Sequence, residues 1–186
     1  MSGPVLFLRF WLPAVLAAAL AAIPGPVLAQ APPKESAVKA AFLYKFGSFV
    51  DWPAGTFTRP DEPLVIGVLA DDAVADDLEQ LAKGRSVEGR PVRIRAFRDA
   101  EAPSGVHLLF IGNVRPARLR ELLATLPGPV LVVTQQEGAL RAGSVINFIA
   151  EGSRVRFAVS LPSAEARGLH LSARLLAVAQ AVEGRR

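Results

Sequence analysis

Four polar residues follow apolar segments of the sequence and together could bind a small ligand. Asp71 and Asp72 come directly after one apolar run, and Asn113 and Arg115 come after another. Runs of this kind are typical of strands that are buried on both faces of a parallel sheet, and ligands bind beyond the carboxyl ends of such strands. The four residues therefore predict a crevice for a small anion or metabolite. The alternative, which we favour, is that the aspartates cap a helix and that Asn113 and Arg115 shape a turn.

The two histidines give no sign of a catalytic or metal centre. His107 begins an apolar run, and His170 lies between two leucines. Neither has a His, Cys or acidic neighbour at metal-ligand spacing, and no serine lies in a G-x-S-x-G elbow. We therefore predict two structural histidines, no metal, no cofactor and no enzymatic activity. An exported hydrolase is kept as an alternative, because a Ser–His–Asp triad assembles in space and not in sequence.

Strand-like and helix-like segments alternate through the middle of the chain, and this order predicts an α/β fold. We expect a three-layer sandwich, flavodoxin- or receiver-like, with a mostly parallel sheet, a C-terminal β-hairpin and flanking helices. Arg93 and Arg95 alternate with apolar residues, which predicts a strand at a charged sheet edge. The predicted strands are 63–70, 91–97, 106–112, 130–134, 143–149 and 154–160. The helices that accompany them are 71–83, 115–126, 162–167 and one that begins after Ser172 and includes Ala181. Residues 84–89, with a glycine at each end, are predicted to form a turn.

The most apolar helix is predicted ahead of the sheet, between Ser36 as its N-cap and Pro53 as its end. At 3.6 residues per turn, seven residues share the face that we predict to be buried, and Lys39 lies off it. The seven are Val38, Ala41, Phe42, Lys45, Phe46, Phe49 and Val50. The segment carries more aromatic residues than one core stripe needs. They predict either burial against the sheet or, where they stay exposed, a surface for a partner protein. These residues are Phe42, Tyr44, Phe46, Phe49 and Trp52.

Residues 1–29 predict a signal peptide that is absent from the mature protein. Arg9 is their only charged residue, an apolar run follows it, and cleavage is expected after Ala29 or Ala31. The alternative is a retained membrane anchor, but prolines interrupt the run. Residues 30–36 are then a linker, and residues 37–183 are expected to form a single domain.

Charge and cysteine content restrict the function further. The chain has 21 Lys and Arg against 17 Asp and Glu, and this small excess does not indicate nucleic-acid binding. It contains no cysteine, so disulfide bonds and thiol-based redox sensing are excluded.

Two parts of the sequence resemble motifs of the YfiR family, also called YfiR/HmsC-like. The first is VKAAFLYKFGSFVDWP at residues 38–53, which carries the aromatic residues above. The second is INFIAEGSRVRF at 146–157, followed by GLHLSARLL at 168–176. The sequence GRPV at 89–92 lies between them in the order that the family has. The resemblance extends over about the whole mature chain, although some family members carry cysteine pairs and this chain does not.

The resemblance implies a periplasmic regulatory protein. Such a protein binds and represses the periplasmic sensor part of an inner-membrane signalling protein, typically a diguanylate cyclase, and so controls cyclic di-GMP and biofilm formation. Some relatives accompany sensor kinases or outer-membrane receptors, and the resemblance is also compatible with a homodimer. The alternative function is a periplasmic small-molecule-binding module that uses the crevice of Asp71, Asp72, Asn113 and Arg115.

Overall fold

A computed structural model describes residues 33–152 and 154–184. The predicted signal peptide and residues 30–32 of the predicted linker lie outside these residues. Within them, no helix has the length and apolarity that a membrane crossing requires. The α-helices are α1 (Glu35–Phe46), α2 (Asp72–Ala82), α3 (Pro116–Thr125), α4 (Leu161–Ala166) and α5 (Ala173–Val178). The strands are β1 (Val50–Asp51), β2 (Leu64–Leu69), β3 (Ser86–Val87), β4 (Arg90–Phe97), β5 (Leu108–Ile111), β6 (Leu131–Thr134), β7 (Ile146–Glu151), β8 (Arg154–Ser160), β9 (His170–Leu171) and β10 (Ala181–Glu183).

Eight of the strands form one mixed sheet in the order β10-β8-β7-β6-β5-β2-β4-β3. The neighbours from β7 to β4 run parallel to each other, as the alternation of strands and helices predicts. Strands β7 and β8 form the predicted antiparallel hairpin, in which the backbone of Glu151 lies opposite that of Arg154. The short β3 pairs with only the first two residues of β4, so most of the arginine-bearing strand is at the sheet edge. The mostly parallel α/β sheet is therefore confirmed.

Helices cover both faces of this sheet, which makes the predicted three-layer architecture. On β2, Leu64, Ile66 and Val68 belong to an apolar core that α1, α2 and α5 complete. Leu69 belongs to a second core, which is completed by Leu122 and other residues of α3. Because neighbouring side chains of a strand point to opposite faces, β2 contributes to both cores and needs a continuous apolar sequence.

The first helix is shorter than predicted, and it begins earlier. It starts at Glu35 after Lys34, without a side-chain cap from Ser36, and ends at Phe46. A short 3₁₀ turn follows, and the chain then enters β1, which pairs with β9 in a separate two-stranded sheet. The prediction of one helix up to Pro53 was wrong, because this distant pairing makes Val50 and Asp51 extended.

The predicted buried face of α1 was also wrong in part. Lys39, Ala40, Leu43 and Phe46 are buried, whereas Ala41 and Lys45, which we assigned to the buried face, are exposed. Apolar residues occur on nearly every side of this helix, so its sequence does not define one stripe. The face that packs on the sheet is decided by contacts with distant strands.

The C-terminal helix was predicted too long. Helix α5 has six residues, with the Ser172 hydroxyl accepting a hydrogen bond from the Leu175 backbone N–H, as its predicted cap role requires. The chain then forms β10, whose Val182 pairs with Val159 in parallel register. The segment 84–89, predicted as a turn, likewise contains the two-residue strand β3. Both errors concern short strands whose hydrogen bonds are made to distant residues.

Candidate functional site

The carboxyl ends of β2, β5 and β6 lie side by side, as predicted, but their polar side chains bond mainly to the protein itself. Asp71 caps α2, since its Oδ1 accepts a hydrogen bond from the Val74 N–H at 3.2 Å. Its Oδ2 is 3.5 Å from the Gln135 Nε2. The Gln136 amide donates to the Val114 carbonyl oxygen at 2.7 Å and accepts from the Val114 N–H at 3.1 Å. These contacts hold the loops at this edge together.

The other three residues of the predicted crevice are exposed. Asp72 lies in the first turn of α2, and Arg115 occupies the N-cap position of α3 through its backbone alone. Asn113 lies in the short connection between β5 and α3. Among the described residues no ion pair joins Arg115 to Asp71 or Asp72. The geometry favours the capping and turn roles, and the ligand site at these residues stays a prediction.

Lys39 belongs to the same edge of the sheet, and the sequence analysis missed it. Only 8% of the residue is exposed. Its Nζ donates to the Gln135 Oε1 at 2.6 Å and forms an ion pair with Glu35 one turn earlier in α1. These side-chain contacts run from Glu35 through Lys39 and Gln135 to Asp71, and they therefore link the first helix to the loop after β6 and to the start of α2. The i, i+4 spacing of Glu35 and Lys39 was the one sequence signal for this contact.

The predicted partner-binding aromatic residues divide into core and surface. Phe46 is 1% exposed, and its ring centroid lies 5.1 Å from that of Phe157 and 5.9 Å from that of Phe148. Phe42 is partly buried at the edge of the same cluster, 5.5 Å from Phe157. Phe46 thus presents almost no surface to a partner in this structure, because the sheet covers it. Phe42 keeps part of its ring accessible.

Tyr44, Phe49 and Trp52 are each partly buried at different places. The Tyr44 hydroxyl donates to the Ser86 carbonyl oxygen at 2.8 Å, which ties α1 to β3. Phe49 packs against the core, and its carbonyl oxygen accepts from the Ser172 N–H. Trp52 packs on Phe57 at the opposite end of the segment. The five aromatic residues therefore do not form one continuous exposed surface.

An apolar groove of about 390 Å³ opens beside Phe42, between α1, β8 and α5. Val178, at its rim, is 67% exposed, which is unusual for a large apolar side chain in this protein. Arg156 pairs with Glu151 at 2.9 Å, whereas Arg154 has no carboxylate within 4 Å among the described residues. We call this feature the α1–β8 groove, and it is lined by Val38, Phe42, Arg154, Val155, Arg156, Phe157 and Val178.

His107 is a structural residue at the amino end of the parallel strands. Its Nδ1 accepts a hydrogen bond from the Val65 N–H at 3.0 Å, and its ring stacks on Phe57 at 4.5 Å. Burial lowers the pKa of His107, and the nearby Arg90 lowers it further, while the charge of Glu62 and a backbone hydrogen bond act in the opposite direction. The lowered pKa favours a neutral imidazole at neutral pH. Its hydrogen bond to β2 supports the predicted structural role.

No catalytic or metal arrangement is found in the part of the chain that the structure describes. His170 is exposed in β9, opposite Asp51. No hydrogen bond in residues 33–152 and 154–184 joins a serine hydroxyl to either histidine, as the hydrolase alternative requires. The same residues contain no group of three or more His, Cys, Asp or Glu side chains that could hold a metal ion.

A match to one known protein family covers almost all of the described structure. The model of the YfiR/HmsC-like family matches residues 36–180 of the 186. The chain belongs to this family. The match extends from the second residue of α1 to the residue before β10, so it includes the α1–β8 groove and both apolar cores. A comparison with individually curated proteins gives no match.

Proposed function

We propose that this protein is a periplasmic repressor that binds the periplasmic sensor part of an inner-membrane signalling protein, typically a diguanylate cyclase. In this role it lowers cyclic di-GMP and limits biofilm formation. The observation that carries the proposal is the family match over residues 36–180. Membership of the YfiR/HmsC-like family supports a regulator of cyclic di-GMP signalling in general. The identity of the partner, its inhibition and the export by residues 1–29 are parts of the proposal.

The α1–β8 groove is the surface that we propose for the sensor. An exposed valine next to a partly accessible phenylalanine offers an apolar anchor site, and apolar anchors at the centre of an interface contribute most of the binding energy. Arg154 lies at the rim without a carboxylate partner among the described residues. The expected ligand is therefore a segment of the sensor that carries an apolar side chain flanked by acidic residues. This pairing places apolar contacts at the centre and charged contacts at the rim.

Repression follows from a difference in affinity. A regulator shifts the sensor toward its inactive state only as far as it binds that state more tightly than the active one. A shift from about 99% active to about 99% inactive requires a difference of about 5.5 kcal/mol, or about 10⁴-fold. The groove and the charges at its rim can provide this difference in affinity only if the active sensor does not present the same segment. Release of the repressor then restores synthesis of cyclic di-GMP.

Gene deletion with measurement of cellular cyclic di-GMP tests the proposal. The expected result is a rise in cyclic di-GMP that a plasmid copy of the gene reverses. An unchanged level after deletion would contradict repression of a cyclase. Fractionation of the same cells tests the location, since the proposal requires the cleaved protein in the periplasm.

A substitution in the groove tests the surface. A plasmid copy that carries Val178→Asp should fail to lower cyclic di-GMP in the deletion strain. The valine becomes buried when the sensor binds, so a charge in its place should weaken binding by about tenfold or more. Ala124→Asp is the matched control, since Ala124 is exposed on α3, on the opposite face of the sheet. Both variants should be exported and melt close to the wild type. Equal complementation by the two variants would show that the groove is not the docking surface.

The two alternative functions have less support. The small-molecule site at Asp71, Asp72, Asn113 and Arg115 lacks a side chain that is both buried and free, since Asp71 caps α2 and the others are exposed. The hydrolase alternative requires a serine next to a histidine, and the described residues provide no such hydrogen bond.

A further inference from the structure

A pocket of about 620 Å³ lies between the C-terminal end of α3, the loop before β6 and α4. Three prolines, Pro53, Pro129 and Pro162, form much of its wall, so most of the lining is apolar and rigid. Its volume is within the range of small-molecule sites, about 300–1,000 Å³. The pocket adjoins the end of β8, whereas the α1–β8 groove adjoins the beginning of that strand. It therefore does not depend on the proposed docking surface.

Among the described residues that line this pocket, Arg167 is the only charged one. The side chain is partly buried, and its Nη2 donates to the Leu123 carbonyl oxygen, in the last turn of α3, at 3.1 Å. That bond holds the guanidinium in place, and helix C-terminal carbonyl groups favour a nearby cation. Among the described residues no carboxylate lies within 4 Å of it.

This arginine retains several hydrogen-bond donors for a ligand. A guanidinium has five N–H groups, and the described residues account for one hydrogen bond from them. Burial lowers the pKa of Arg167, which reflects lost hydration, but an arginine keeps its charge at neutral pH. Buried cations are normally paired with an anion, and the Arg167 side chain is buried in part. Here an anion from outside the chain would complete the pairing.

We propose that this pocket binds a small organic carboxylate. The carboxylate oxygens accept hydrogen bonds from the free edge of the Arg167 guanidinium, whose planar fork matches a carboxylate. Ser163 also lines the pocket, and its hydroxyl is a second donor group for the ligand. The apolar body of the ligand packs on the three prolines. The single positive charge selects for an anion, and the apolar wall selects for an organic anion over inorganic phosphate.

Calorimetric titration of the purified protein with benzoate, benzamide and inorganic phosphate tests the charge and the apolar wall separately. Benzoate should bind at a one-to-one ratio, and benzamide, which has the same shape and no charge, should bind at least about tenfold more weakly. Phosphate, which has charge and no apolar body, should also bind more weakly than benzoate. Equal affinity for benzoate and benzamide, tighter binding of phosphate, or no saturable binding of benzoate would each overturn the proposal.

Three variants connect the binding to the pocket. Arg167→Gln keeps a donor for Leu123 and removes the charge, and should weaken benzoate binding by about 10- to 100-fold. Ala166→Phe keeps the arginine and fills the pocket from an exposed position of α4, and should abolish binding. Arg120→Gln, at an exposed position of α3, is the charge-matched control and should bind as the wild type does. If Arg167→Gln fails to fold, Ala166→Phe decides alone, and unchanged binding in that variant would refute the site.

Discussion

Replacement of Phe46 by Ala tests whether the aromatic segment of α1 is a core element or a binding element. Sequence patterning allowed both roles for Phe46. In the structure its side chain is almost fully buried, and its ring contacts those of Phe42, Phe148 and Phe157. We therefore expect the substitution to act mainly on folding, with any effect on partner binding following from the loss of folded protein.

The expected loss of unfolding free energy in Phe46→Ala follows from burial and from the ring contacts. Removal of a fully buried phenylalanine costs about 3–5 kcal/mol, which includes the cavity that is left. Edge-to-face pairs such as Phe46 with Phe157, at 73°, add about 0.5–1.5 kcal/mol beyond the buried area, so the upper half of the range applies. For a domain of this length, about 4 kcal/mol lowers the melting temperature by about 8–16 °C. Phe46→Leu should cost less than half as much, because it refills most of the cavity.

Urea unfolding followed by tryptophan fluorescence and circular dichroism measures the change. Trp52 is the reporter in the described structure, since it packs on Phe57 and His107. Val178→Ala is the control, because that side chain is mostly exposed and its loss should change the unfolding free energy by less than about 0.5 kcal/mol. A Phe46→Ala protein that loses less than about 1.5 kcal/mol, or no more than the control, would refute the assignment of Phe46 to the core.

The remaining predictions use the same unfolding assay. Asp71→Ala should cost about 1 kcal/mol because α2 loses its cap, whereas Asp72→Ala should cost a few tenths, and equal costs would contradict the capping assignment. Because the pKa of His107 is lower in the folded state, stability should be highest above the unfolded pKa of about 6.5 and decline as the pH falls from there toward the folded pKa. His107→Gln should reduce this decline. If the variant keeps the full decline, the pH dependence comes from other groups. Gly112→Ala should cost at least about 1–3 kcal/mol, since an added Cβ would collide with the carbonyl oxygen of Ala70, and a neutral result would show that these strand ends separate easily.

The central strands were predictable because their surroundings are uniform. A parallel strand that is covered on both faces needs apolar residues throughout, and β2, β5 and β6 show such runs. The ends of α2 were also predictable from local chemistry. Asp71 provides the cap, and Gly84, which has a φ of +70°, follows the last turn.

The parts that were missed depend on residues that are distant in sequence. Val50 and Asp51 look helical in isolation, and only the pairing with His170 and Leu171 makes them a strand. The buried environment of Lys39 is created in part by Gln135, which is 96 residues away. Local periodicity carries no information about such partners, because the pairing energy is gained only when the chain is folded.

The candidate site was the least predictable part for a related reason. Aromatic residues serve both cores and interfaces, and the sequence pattern of α1 is the same in either case. The groove arises because α1, β8 and α5 leave Val178 uncovered, and the proline-walled pocket arises because three loops meet around Arg167. Neither arrangement corresponds to a motif of neighbouring residues.

The position of β10 has a practical consequence for handling this protein. These three residues occupy the outer side of β8 along Ala158, Val159 and Ser160, and the Gln180 N–H bonds to the Phe157 carbonyl oxygen at 2.9 Å. A shortened version that stops after α5 would leave this row of amide and carbonyl groups open to a strand from another molecule. Such a version is expected to aggregate during purification even though both apolar cores are intact. Affinity tags should therefore be attached beyond Gly184 through a flexible spacer, with the three-residue strand left in place.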